Sequence, residues 1–156
     1  MNGHTPLLEA VMCRDAEVAQ VLLDYGAEPN VADSEGFTPL YRAAGPGGNR
    51  QLVKLLLERG ALVDGASEYG WTPLRAAGNL GRRDVVKVLL DNGADPFKKD
   101  VLGRNCFSAA WRPEIKQMMA AATNSRALNQ IIRLIRQSNG TRTQPYTIRV
   151  LHKRQI

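Results

Sequence analysis

Apolar residues recur along the chain in blocks that share one internal layout. Val18, Val21 and Leu22, then Leu52, Leu55 and Leu56, then Val85, Val88 and Leu89 each keep the i, i+3, i+4 spacing of one helix face. Gly26, Gly60 and Gly93 follow these blocks, where a residue of positive φ ends a helix. Upstream of each block, Thr5-Pro6-Leu7, Thr38-Pro39-Leu40 and Thr72-Pro73-Leu74 mark a second kind of helix start. The threonine hydroxyl can accept from an orphan backbone N–H, and proline at the first helical position has its φ preset. The predicted short helices run from Leu7 to Met12, Leu40 to Ala44 and Leu74 to Gly78. Their small residues, Ala43-Ala44 and Ala76-Ala77, let a neighbouring helix approach closely.

These markers keep one phase. The Thr-Pro-Leu triplets are spaced by 33 and 34 residues, and Gly26-Ala27, Gly60-Ala61 and Gly93-Ala94 by 34 and 33. Gly3, Gly36, Gly70 and Gly103 each open a unit. A single helix pair of this size cannot bury its own apolar face, so neighbouring units must stack. The pattern resembles the ankyrin repeat, and the third unit, from Gly70-Trp71-Thr72-Pro73-Leu74 to Gly93-Ala94-Asp95, matches it nearly throughout. The resemblance covers about residues 3–120. It implies an all-α, ankyrin-like helix-pair solenoid with loop/β-turn fingers, three full repeats and one shortened repeat, plus a C-terminal helix. The repeat domain is expected over 1–122, with units of about 3–35, 36–69, 70–102 and 103–122.

Several positions depart from the family pattern. The family's histidine after Thr-Pro-Leu is replaced by Leu8, Tyr41, Arg75 and Ser108, so the hydrogen bond it supplies is expected to be missing. The second unit carries an extra residue within Gly45-Pro46-Gly47-Gly48-Asn49, a composition that favours a loose, exposed turn. The fourth unit has Asn105-Cys106-Phe107 in place of Thr-Pro-Leu and is about three residues shorter, with Trp111-Arg112-Pro113 as a tighter connection. The sequence opens inside a repeat, so the outer face of the first helix pair is expected to be unusually exposed.

Charge changes the picture only at the end of the chain. The net +6 arises because residues 1–122 hold 14 Lys/Arg against 15 Asp/Glu, whereas 123–156 hold seven Lys/Arg and no acid. Thr123-Asn124-Ser125 reads as a capping cluster for a helix from about Arg126 to Ser138. Leu128, Ile131, Ile132 and Ile135 form its apolar stripe, and Leu134 widens it. That stripe is expected to cover the end of the stack, making 123–139 a C-terminal amphipathic capping helix. Residues 140–156 read as a basic, disordered tail in which Tyr146, Ile148 and Val150 give a weak strand signal.

Candidate chemistry is sparse. Two cysteines 93 positions apart and two histidines, His4 and His152, cannot build a four-ligand Cys/His zinc site. No phosphate-cradling motif precedes a Lys-Ser/Thr pair. The expectation is therefore a non-enzyme with no cofactor, no metal and no small-molecule substrate. Met1-Asn2-Gly3-His4-Thr5-Pro6 has neither a basic nor an apolar leader segment, which points to the cytoplasm, with the nucleus as the other compartment. The resemblance implies a protein partner docked on the concave side of the repeats. Carried over by position, the contact residues are Ser34, Glu35 and Phe37; Glu68, Tyr69 and Trp71; and Val101, Leu102 and Arg104. Asn79, Trp111 and Arg112 join them from the first-helix ends. A second reading stands beside it: charge-driven binding of nucleic acid or an anionic membrane through residues 123–156.

Overall fold

The computed structural model describes residues 3–46, 49–109 and 112–139, the side chains of 108, 109, 138 and 139 excepted. Trp111 and everything from residue 140 onward, including the weak strand signal, lie outside the described residues. The chain divides into two units, 1–122 and 123–156.

The first unit is a succession of helix pairs. Helices α1 (Pro6–Met12) and α2 (Ala16–Asp24) form the first pair, α3 (Pro39–Ala44) and α4 (Arg50–Glu58) the second, and α5 (Pro73–Asn79) and α6 (Arg83–Asp91) the third. The fourth is α7 (Cys106–Ala109) followed by the start of α8 (Pro113–Asn139). Each Thr-Pro start caps as its chemistry requires. The Leu8, Tyr41 and Arg75 amides donate to the hydroxyls of Thr5, Thr38 and Thr72 at 3.2, 3.2 and 3.3 Å. Gly26, Gly60 and Gly93 end the second helices at φ of 87°, 86° and 98°. The inserted turn of the second unit is tied at both described ends. Asn49 caps α4 by accepting from Gln51 N at 2.8 Å, and the Arg82 guanidinium donates to the Gly45 carbonyl at 3.1 Å.

First helices pack on first helices, and second on second. Leu40, Leu74, Ala44 and Ala77 are fully buried between the first helices, whose alanines permit the close approach. Leu52, Leu56, Val85 and Leu89 fill the layer beneath. The units are also stitched at their edges. Asn30 donates to the Gly60 carbonyl at 3.2 Å and accepts from Leu62 N at 2.8 Å. Asp64, 34 residues on in the sequence, accepts from Asp95 N at 3.1 Å.

Equivalent positions differ sharply in burial along the stack. Val18 and Val21 are 47% and 53% exposed, whereas Leu52, Leu55, Val85 and Val88 in the same helical places are at 7% or less. The cause is geometric: α4 packs on α2 and α6 on α4, while α2 has a helix layer on one side only among the described residues. Leu22 is correspondingly half-buried, and Leu56 and Leu89 are completely buried.

The final helix departs from the sequence expectation. It starts at Pro113 and runs unbroken to Asn139, so Thr123-Asn124-Ser125 lie inside it and do not begin a new helix at 126. The run Lys116-Gln117-Met118-Met119-Ala120-Ala121-Ala122 consists of good helix formers, and no Gly or Pro interrupts 114–139. In the first unit its Ile115 and Met119 are buried. In the second unit Leu128, Ile131, Ile132, Leu134 and Ile135, expected to be covered, are 59%, 53%, 37%, 58% and 52% exposed.

The burial gradient sets the cost of truncation. Leu56→Ala and Leu89→Ala should each destabilise the protein by ~2–5 kcal/mol, as for fully buried large-to-small changes. Leu22→Ala should cost less than either. Chemical denaturation of the three variants checks the order, and an equal loss at all three positions would contradict it.

Candidate functional site

The fingers between units are built around a short polar side chain that bonds to its own loop. Asp33, Ser67 and Asp100 occupy equivalent places, and all are buried. The Asp33 carboxylate accepts from the backbone of Glu35 and Phe37, both at 3.0 Å. Ser67 Oγ accepts from Trp71 N at 3.3 Å, and Asp100 accepts from Leu102 N and Arg104 N, both at 2.9 Å. Gly70 shows why the loop needs glycine. Its φ is +76°, and a Cβ there would stand 2.7 Å from Asp100 Cα in the next finger.

Arginines close over the two aspartates, Arg42 and Arg75 from first helices and Arg104 from the finger itself. Arg42 reaches Asp33 Oδ2 at 2.6 Å and Glu35 Oε2 at 2.9 Å. Arg104 reaches Asp100 Oδ2 at 3.0 Å, and Arg75 of the preceding unit binds the same oxygen. Arg75 stands where the family pattern has histidine. The hydrogen bond expected to be lost there is thus replaced by an ion pair to the finger 25 residues further on. Burial alone would raise the Asp100 pKa, but the bonds from Arg75, Arg104 and Leu102 outweigh it and hold the carboxyl well below the ordinary range. Asp33 is also lowered, its burial outweighed by Phe37 N, Arg42 and Glu35 N.

Aromatic rings line the same edge. Phe37 stacks on Tyr41 with centroids 4.4 Å apart, and on Trp71 at 6.1 Å. Tyr69 leans against Trp71 at 5.7 Å. The guanidinium of Arg42 lies 4.7 Å above Phe37, and that of Arg75 lies 5.3 Å from the Trp71 ring centre. Tyr41, Arg42 and Arg75 are not among the expected contact residues, although their positions beside Thr-Pro-Leu put them on the same edge.

The expected contact residues divide by exposure. Ser34, Glu35, Glu68, Asn79, Arg104 and Arg112 are exposed, as are Tyr69, Val101 and Leu102 at 53%, 66% and 68%. Trp71 is half-buried. Phe37 is 8% exposed, sandwiched between its ring neighbours and Arg42, so it supports the edge and does not present a surface. Phe37, Tyr69 and Trp71 are brought into one cluster; Arg112 packs instead across Gly81, and Trp111 lies outside the described residues.

Reactive groups stay apart. Cys13 is exposed and Cys106 is buried, its thiol donating to the Leu74 carbonyl at 3.4 Å and pushed up to about 12 by burial. Among the described residues no group of three His, Cys, Asp or Glu stands where it could hold a metal ion, and no helix is long and apolar enough to cross a membrane.

A family model for ankyrin repeats, in three copies, matches residues 7–100, which is more than half of the chain. The chain belongs to the ankyrin repeat family. It is 31% identical over 136 residues to the ankyrin repeat protein nuc-2 of Neurospora crassa, a match covering 83% of this chain and 12% of that one. It is 37% identical over 79 residues to an ankyrin repeat protein of Rickettsia bellii, covering 47% of this chain and 23% of that one. Human SH3 and multiple ankyrin repeat domains protein 2 is 40% identical over 70 residues, covering 45% of this chain and 4% of that protein. The chain thus matches less than a quarter of the length of these relatives. Ankyrin repeats are in general protein–protein interaction modules and typically non-catalytic.

Two outcomes follow from this geometry. Because Asp33 and Asp100 are harder to protonate in the folded chain than in the unfolded one, the stability they contribute is present above pH ~4 and is lost as the pH falls through their folded values. Acid titration of unfolding should show Asp100→Asn less stable than wild type at neutral pH, with the gap closing in acid; a constant gap would contradict the assignment. In thiol labelling of the native protein, Cys13 should react at once and Cys106 only as the repeats open.

Proposed function

We propose that this ankyrin repeat chain is a non-catalytic protein-interaction module that holds its partner along the finger tips and first helices, the concave side in its family. The observation that carries this reading is the aromatic row Tyr41, Phe37, Trp71 and Tyr69, in which buried Phe37 backs half-exposed Trp71 and Tyr69. Rings held in place by stacking and by Arg75 lose little freedom on binding, and tryptophan, tyrosine and arginine are the side chains that most often dominate interface energy.

The remaining contacts are read as a rim. Ser34, Glu35 and Glu68 flank the aromatic row, Val101, Leu102 and Arg104 extend it on the next finger, and Asn79 and Arg112 border it at the helix ends. Residues 1–122 act as the interaction domain in this reading. The two free cysteines suit a reducing compartment, the cytoplasm or nucleus.

Affinity capture from source lysate with wild type and with Tyr69→Ala/Trp71→Ala tests the reading. The double variant should keep its helicity by circular dichroism while partner affinity falls by more than ~2 kcal/mol. Undiminished capture by the double variant would move the interface off this face.

A further inference from the structure

We propose that residues 123–139 of α8 form a docking element for anionic phospholipid bilayers, lying in the plane of the surface with the aliphatic face inserted at the headgroup–acyl boundary. The five aliphatic residues between Leu128 and Ile135 are each at least 37% exposed. At 100° per residue they and Ala127 fill a continuous arc of roughly 160° on the helix. Arg126 and Arg133 stand roughly 140–160° from Leu128 on that wheel, and Arg136 stands at the flank. Between residues 126 and 136 one side of the helix is thus aliphatic and the arginines lie on the other side and its flank, while Asn124, Ser138 and Asn139 bound the aliphatic arc at its two ends.

Charge selects the occupant. From residue 123 onward the chain has seven Lys/Arg and no acid, so it is drawn to a negative surface and has no pairing to offer a basic one. A nucleic acid would attract the cationic side but has nothing to receive a row of leucine and isoleucine. An anionic bilayer offers both at once: phosphate and carboxylate groups in the headgroup layer for the cations, and hydrocarbon just beneath for the aliphatic side. The apolar arc is only about two turns long, which suits a helix lying on a bilayer. Among the described residues no helix is long and apolar enough to cross one.

Flotation of the full chain with vesicles tests this, using about one-third phosphatidylserine in phosphatidylcholine against phosphatidylcholine alone. The chain should float with the anionic vesicles, stay behind with the neutral ones, and release as salt is raised from about 0.1 to 0.5 M. Ile131→Gln/Ile135→Gln should weaken binding by at least about 100-fold. Arg126→Gln/Arg133→Gln/Arg136→Gln should weaken it by about 100-fold. Circular dichroism confirms that the helix survives in each variant; should the isoleucine pair lose helicity, Leu128→Gln/Leu134→Gln reports on the same face. Absence of binding to anionic vesicles would overturn the proposal. Equal binding by the isoleucine variant would overturn it too, because charge alone would then suffice. Tighter binding to a duplex DNA oligonucleotide than to vesicles would assign the segment to nucleic acid instead.

Discussion

A helix pair of this chain has more apolar surface than it can cover by folding on itself, and the stacking of the repeat region follows from that deficit. Leu52, Leu56, Val85 and Leu89 are buried only because another second helix lies against them. The alanines of the first helices serve the same end, since larger side chains would hold the pairs apart. Short helices of six to nine residues, marginal alone in water, are held by this packing and, except in α6, by side-chain caps: threonines on α1, α3 and α5, Asp15 on α2 and Asn49 on α4.

The fingers solve a different problem, that of exposed loops that must keep one shape. A buried aspartate or serine satisfies the loop's own amides, and the arginines that neutralise Asp33 and Asp100 also lie over Phe37 and Trp71. One cation thus fixes a backbone turn and an aromatic ring together. Electrostatics inside the loop and presentation of the rings are not separable here: removing Arg42 would leave the buried Asp33 carboxylate without its cationic partner and the Phe37 ring without its support.

The period, the caps and the helix stops were legible because each is local chemistry at a fixed offset: threonine before proline, glycine where φ is positive. The role of Arg75 was not legible, because its partner Asp100 lies 25 residues away and meets it only through stacking. Phe37 was readable as a finger residue, yet its burial depends on Tyr41 and Trp71 arriving from two other places in the chain. The start of α8 was hidden for a simpler reason. Thr123-Asn124-Ser125 has the composition of a cap but follows an unbroken run of helix formers, and propagation through such a run is easier than a fresh nucleation.

The neighbours on either side of α3 and α5 bear on how the molecule comes apart. In a stack whose cohesion passes only between neighbours, opening is easiest where a unit has one neighbour and hardest where it has two. Among the described units the second and third have neighbours on both sides, α3 between α1 and α5 and α5 between α3 and α7, so the amides of α3 and α5 should be among the last to exchange with solvent. The aromatic edge, set on these two units, sits over that doubly supported part, so its rings stay aligned while less supported parts of the stack breathe.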